Sequence, residues 1–342
     1  MHLTLADSLD VLLPNLTSKL VGTDALLNLK TLAHHLPPIL RGGFECRLTA
    51  NTSQVDLQQC VVQDDIELLQ THISTSTNRM AHAGWSQLSD FINEWQISLK
   101  SIQEIWLEFD IDNSSVPAIF IGFPQNVSSA IETYEIATHS LNLLLPSVWN
   151  RWQDNLYRCF KACPNGVFVS HIGVMLSRNV PALRVNIKRL QPDSLISYLQ
   201  QLGWQQDNED VETLMQQVCT LCDRVTVCLD VGQHIYPRIG LECIFLQQPP
   251  HESRWATFFD YLIEHGLCEP QKKETLLNWP GQNSPMNSSW PESLIAASLL
   301  ESKERFTVFE RRLSHVKVTW QPQGQLEAKA YLWFEHKWLE IL

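Results

Sequence analysis

EIWLEFDIDNSSVPAIFIGF, residues 104–123, reads as a β-hairpin. Its first arm alternates strictly. Ile105, Leu107, Phe109 and Ile111 fall on one face, and Trp106, Glu108, Asp110 and Asp112 on the other. A polar turn ending in proline, NSSVP, separates this arm from the β-rich AIFIGF. A strand with one apolar side and one side of carboxylates and an indole has two natural homes. It belongs to a sheet open to water on one face, or to the wall of a cavity. The remaining chain chooses between them.

Four further segments repeat the pattern. GGFECRL and VDLQQCV flank TANTSQ, GVFVSHIGVML and ALRVNIKRL flank SRNVP, RVTVCLDV and RIGLECIFL flank GQHIYP, and HVKVTW and LEAKAYLWFEH flank QPQGQ. Amphipathic stretches lie between them, among them SSAIETYEIATHSLNLLL, PDSLISYLQQLGW, ESRWATFFDYLIEHG and ESLIAASLLESKERF. The period of helix, hairpin, helix is about sixty residues, and it recurs five times. The last interval is longer by a Pro/Asn/Ser-rich insertion at 278–293. No linker divides the chain, so residues 1–342 form one domain. The expected class is α+β. Five αββα units supply ten antiparallel strands, and a sheet of that size tends to close on itself, because closure removes its edges. A ten-stranded barrel surrounded by helices has room for a ligand.

The strand faces agree with a barrel. Apolar residues point outward to the helices, which turns Trp106, Glu108 and Asp110 inward, with Asp112 near the rim. The same parity turns Glu45 and Arg47 of the first hairpin inward, and Arg184, Asn186 and Lys188 of the third. The fourth contributes Asp230, Arg238 and Glu242, and the fifth Lys317, Lys329, Tyr331, Trp333 and Glu335. An open sheet would show the same alternation, but would leave edges and several large aromatics in water.

A formal net charge of -12 and a pI near 5.4 argue against nucleic acid or an anionic membrane held through bulk charge. The start, MHLTLADSLDVLLPNL, lacks a cationic leader with an apolar core, and no apolar run reaches membrane-spanning length. A soluble, cytoplasmic protein is expected. The nine cysteines suggest no disulfide framework, and Cys219 and Cys222, in CTLC, read as buried thiols because no second ligand pair follows.

This organisation of five hairpins and their helices resembles the prenyltransferase barrel, the ABBA fold of aromatic and peptide prenyltransferases. The resemblance implies prenyl transfer from an allylic diphosphate to an aromatic, indole-like or peptide side-chain acceptor inside the barrel. Its diphosphate needs cations, and Arg47, Arg184, Lys188, Arg238, Lys317 and Lys329 are the candidates. Trp106, Tyr331 and Trp333 would shield an allyl cation. Glu108 and Asp110 are the expected catalytic acids, with Glu45, Asp230 and Glu242 behind them on the acceptor side. Magnesium would accompany the diphosphate, and no dedicated metal site is legible. The helical synthases' DDxxD motif is absent, since DDIEL at Asp64 reads as a helix start. Two alternatives stay open: a non-catalytic barrel that binds a small molecule or peptide, and a pentein-type enzyme acting on guanidino groups. The second would need a nucleophilic cysteine late in the chain, where Cys268 is the last.

Overall fold

The computed structural model describes residues 3–50, 52–75, 83–111, 116–124, 129–178, 180–206, 209–301 and 305–340, so Asp112 lies outside the described residues. Two helices, α1 (Leu5–Leu12) and α2 (Thr23–Ala33), precede the hairpin β1 (Arg41–Arg47) and β2 (Val55–Val62). Then come α3 (Ile66–Thr75), α4 (Ala83–Ile97), and the hairpin β3 (Glu104–Phe109) and β4 (Ala118–Gly122). Helices α5 (Ala130–Leu144) and α6 (Gln153–Lys161) lead to β5 (Phe168–Val174) and β6 (Ala182–Lys188). Helices α7 (Pro192–Gln201) and α8 (Glu209–Leu221) lead to β7 (Arg224–Gly232) and β8 (Ile235–Ile244). The chain ends with α9 (Arg254–Glu264), α10 (Pro270–Asn278), a short β9 (Gly281–Asn283), α11 (Glu292–Glu301) and the long hairpin β10 (Arg305–Gln321) and β11 (Gln325–Glu340).

Each strand pairs antiparallel with its neighbour from β1 to β8, then β8 with β10, β10 with β11, and β11 back to β1. Ten strands therefore close, and β9 pairs with the start of β10 outside that ring. Consecutive hairpins place all five turns at one rim, while the helix-bearing connections leave from the other. Among the described residues no helix is long and apolar enough to cross a membrane.

The core is the shell between barrel and helices. Ile105, Leu107 and Phe109 are fully buried on the outer face of β3, as are Leu183, Val185 and Ile187 on β6 and Ile239, Leu241 and Cys243 on β8. Opposite them pack helix faces such as Trp85, Phe91 and Trp95 of α4 and Trp255, Phe258 and Phe259 of α9. Each such side chain contributes about 1.5–3 kcal/mol by leaving water. This burial fixes register, because a one-residue slip would exchange the apolar and charged faces of a strand.

Three boundaries differ from the sequence reading. β3 ends at Phe109, so Asp110 lies just past the strand, yet stays buried. The helix expected through Phe306 stops at Glu301, and a strand runs from Arg305, ten residues ahead of His315. The reason is a β-bulge between Leu313 and His315 that breaks the alternation, so the two halves of β10 do not share one period. The insertion at 278–293 is loop interrupted by β9. All nine cysteines are unbridged.

Candidate active site

The barrel encloses a cavity of about 330 Å³, and the inward faces of its strands line it. The expected side chains Glu45, Trp106, Glu108, Arg184, Lys188, Arg238, Glu242, Lys317, Lys329, Tyr331 and Trp333 all border this space. Arg47, Asp110 and Asp230 stand behind it, each tied to a neighbour. Arg47 bridges Glu45 and Asp56, with Nη2 2.6 Å from the Asp56 carboxylate. Asp230 sits at a bulge in β7 and receives Arg184 Nε at 2.5 Å and Arg238 at 3.5 Å. Asp110 accepts both Nε and Nη2 of Arg178 and the Ser177 hydroxyl at 3.3 Å.

One row of cross-strand partners around the wall concentrates positive charge. Lys188 faces Thr226, Thr226 faces Glu242, Glu242 faces Lys317, Lys317 faces Lys329, and Lys329 faces Arg47. Lys317 and Lys329 are thus directly opposed across β10 and β11, an arrangement that costs stability unless an anion relieves it. Within the protein the relief is partial. Lys317 Nζ reaches Glu242 at 3.4 Å and Lys329 Nζ reaches Glu45 at 2.7 Å, whereas Lys188 pairs with no carboxylate among the described residues. Gly240 makes the room: a Cβ there would lie 2.5 Å from Lys317 Cε.

The carboxylates divide by their surroundings. Burial works against the charge on Glu45, but Lys329 and Arg47, with the Tyr331 hydroxyl, hold it well below the usual carboxylate range. Glu242 is likewise buried, and Lys317 holds it down at about 2. Glu108 goes the other way. Burial and the nearby charge of Glu45 push it up to about 7, against the pull of Arg178 at 3.2 Å, while Gln58 donates to its other oxygen at 3.0 Å. Near neutral pH Glu45 and Glu242 are therefore ionised, while Glu108 exchanges its proton.

Aromatic rings complete the wall. Tyr331 stacks on His315 with centroids 4.2 Å apart and planes 14° apart. The Trp106 indole donates to Glu104 at 3.1 Å, and Glu104 in turn lies 3.8 Å from His171. Trp333 already carries two cations over its ring, Arg312 at 5.2 Å and Lys337 at 5.8 Å. Phe120 fills the space in front of Gly173, where a Cβ would come within 2.6 Å of its ring.

Gln58, Glu104, Phe120, His171, Arg178, Ser314 and His315 also border the cavity, and the sequence reading did not include them. Parity would have found Gln58 beside Asp56, Phe120 between Ile119 and Ile121, and His315 beside Lys317. Arg178 carries no such signal, because it comes from the turn after β5. Among the described residues no group of three His, Cys, Asp or Glu side chains is placed to hold a metal ion, and the lining acids are engaged with cations, so the wall offers no dedicated magnesium set. Cys268 lies outside the cavity, buried, with its thiol pushed up to about 12 by burial, and does not supply the nucleophile a pentein enzyme needs.

No protein-family model and no curated protein sequence matches the chain. Solved structures do. The 5-dimethylallyltryptophan synthase from Streptomyces coelicolor superposes with a TM-score of 0.55 at 10% identity, covering 91% of this chain and 92% of that one. The 6-dimethylallyltryptophan synthase from Micromonospora olivasterospora, in complex with DMASPP and Trp, gives 0.56 at 10% identity over 96% and 97% of the two chains. AnaPT from Neosartorya fischeri gives 0.54 at 12% identity over 86% and 78%. Such identities carry the fold. Closed ring, outer helices and these likenesses together assign the chain the PT-barrel, or ABBA, architecture of the aromatic prenyltransferases.

Proposed function

We propose that the barrel transfers a prenyl group from an allylic diphosphate to an aromatic, indole-like or peptide side-chain acceptor. The observation that carries this reading is the set of cations Lys188, Lys317 and Lys329, two of them directly opposed, sharing one barrel cavity with a carboxyl that titrates near neutrality. The neighbours whose structures concern dimethylallyltryptophan synthesis support an aromatic acceptor.

In this reading Lys188, Lys317 and Lys329, joined by Arg184 and Arg238, hold the diphosphate oxygens and take up the charge that develops as the allylic C–O bond breaks. The bonding pair leaves with the diphosphate. Trp106, Tyr331 and Trp333, with Phe120, face the allyl cation and exclude water. The acceptor's electron pair forms the new bond to carbon, and its proton passes to the Glu108 carboxylate. Asp110 holds the acceptor side together with Glu45, while Asp230 and Glu242 orient the cations. Arg47 acts as a clamp between Glu45 and Asp56 more than as a phosphate ligand. No step is routed through magnesium, which would enter with the diphosphate. We place the activity in the cytoplasm on the sequence reading alone.

The test is thermal stabilisation by dimethylallyl and geranyl diphosphates, followed by pyrophosphate release with a panel of indoles, phenols and peptides. Stabilisation by neither diphosphate overturns the reading. A non-catalytic binding barrel is favoured by one observation, the pairing of most lining cations with carboxylates. Stabilisation without pyrophosphate release across the panel would select it.

A further inference from the structure

Glu108 does not face the cavity bare, and Asp110 behind it is covered by the same group. Arg178 lies across them, Nη2 reaching Glu108 at 3.2 Å while Nε and Nη2 together grip Asp110. The other cations of the cavity wall, Arg184, Lys188, Arg238, Lys317 and Lys329, stand on strands whose ladders fix them. Arg178 stands on a turn, closed by its own N–H to the Met175 carbonyl at 3.2 Å, and its side chain is 37% exposed. It can leave without moving a strand.

Its departure has a strict condition. The acids Glu45 and Asp56 lie close enough to raise Glu108, so taking away the Arg178 charge would leave a cluster of carboxylates in a buried pocket. A neutral acceptor in that place would strand them. An acceptor bearing a positive group would replace the guanidinium one for one.

We propose that Arg178 is an internal occupant of the acceptor pole, and that the true acceptor carries an ammonium or guanidinium group which displaces it from Glu108 and Asp110. This rests on the prenyl-transfer reading for what the pole accepts. Arg178 then sets specificity: it holds the acids apart from water in the empty site and rejects uncharged aromatics, which cannot take its place.

The test compares tryptamine, 3-methylindole and indole-3-propionate by calorimetric titration into the full chain. Tryptamine should bind at least about tenfold tighter than the other two, and Arg178→Ala should strengthen tryptamine by roughly another tenfold, because the competing group is gone, and keep it at least about tenfold ahead of 3-methylindole. Arg178→Lys keeps the charge but loses the fork, and should fall between wild type and Arg178→Ala; it serves if the alanine variant does not fold. Equal binding of tryptamine and 3-methylindole, or weaker tryptamine binding in either variant, overturns the proposal. Dimethylallyl diphosphate is titrated in parallel. Its failure to bind would sink prenyl transfer and leave the cation preference standing, so the two failures are told apart.

Discussion

Lys317 Cε occupies the space that a side chain on Gly240 would need, 2.5 Å from where its Cβ would be. The glycine sits two residues from Glu242 on the same face of β8, and Lys317 pairs with that carboxylate, so a missing side chain on β8 sets the pose of a cation on β10. Gly240→Ala should push the lysine end aside at small cost to the fold, since the displaced atom is the end of a flexible chain. The expected result is a Tm within a few degrees of wild type and a diphosphate KM raised roughly tenfold, about 1.4 kcal/mol.

Lys188 and Lys317 separate binding from stability. Lys188 lacks an ion-pair partner among the described residues, so Lys188→Met should weaken diphosphate binding by about 1.5–3 kcal/mol and leave denaturant stability near wild type. Lys317→Met removes the charge that holds Glu242 down and should destabilise the protein by about 3–5 kcal/mol as well. Titrations of pyrophosphate paired with urea melts check both. Equal stability of the two variants would show that Lys317 is not holding Glu242.

Glu108 predicts the pH dependence of turnover. As a proton acceptor it works only when ionised, so the rate should rise with pH and level off above about 7. Glu108→Gln should lower kcat by about 10²-fold or more and flatten that limb of the profile. A single-turnover pH series on both proteins is the measurement. A flat wild-type profile from pH 6 to 8 would remove Glu108 from the proton transfer.

The two carboxyls also predict opposite slopes in stability. Glu108 is raised above its unfolded value of 4.5, so its contribution is complete below that pH and is lost as pH rises through about 7. Glu242 is depressed, so its contribution is present above 4.5 and is lost as pH falls toward about 2. Thermal melts from pH 3 to 8 should show a shallow decline between about pH 4.5 and 7 that Glu108→Gln abolishes, and an acid limb below about 4.5 that Glu242→Gln softens.

The shell that keeps the wall in register is testable at β3. Phe109 is fully buried against Trp85, with centroids 6.5 Å apart. Phe109→Ala should cost about 3–5 kcal/mol in a urea melt. A cost below about 1 kcal/mol would mean that this face does not pack as a core.

Period-two alternation made most of this legible. Leu183, Val185 and Ile187 against Arg184, Asn186 and Lys188 state which side of β6 meets helices and which meets the cavity, and four other hairpins repeat the statement. What alternation cannot show is a break in itself. The bulge at Ser314 hid the first half of β10, and the turn position of Arg178 hid the group that covers Glu108 and Asp110. Pairing was hidden too. Glu45, two residues from Arg47 on the same face, is a partner that spacing offers, but nothing in the sequence tells that Arg47 also reaches Asp56, because partners across a ladder are set by register rather than by spacing.

The seam between β11 and β1 has a bearing on how the molecule comes to exist. Glu45 meets Lys329 and Tyr331 across separations of 284 and 286 residues, so those contacts form only after β11 has been made. Hairpins and helices can arise early and locally, but the cavity cannot precede ring closure, the most non-local and therefore slowest class of contact. Until then the two ends of the sheet stand unpaired, and a nascent chain halted before β11 would hold Glu45 with Arg47 alone of the three groups that keep it ionised. The binding site is thus committed when β11 docks against β1.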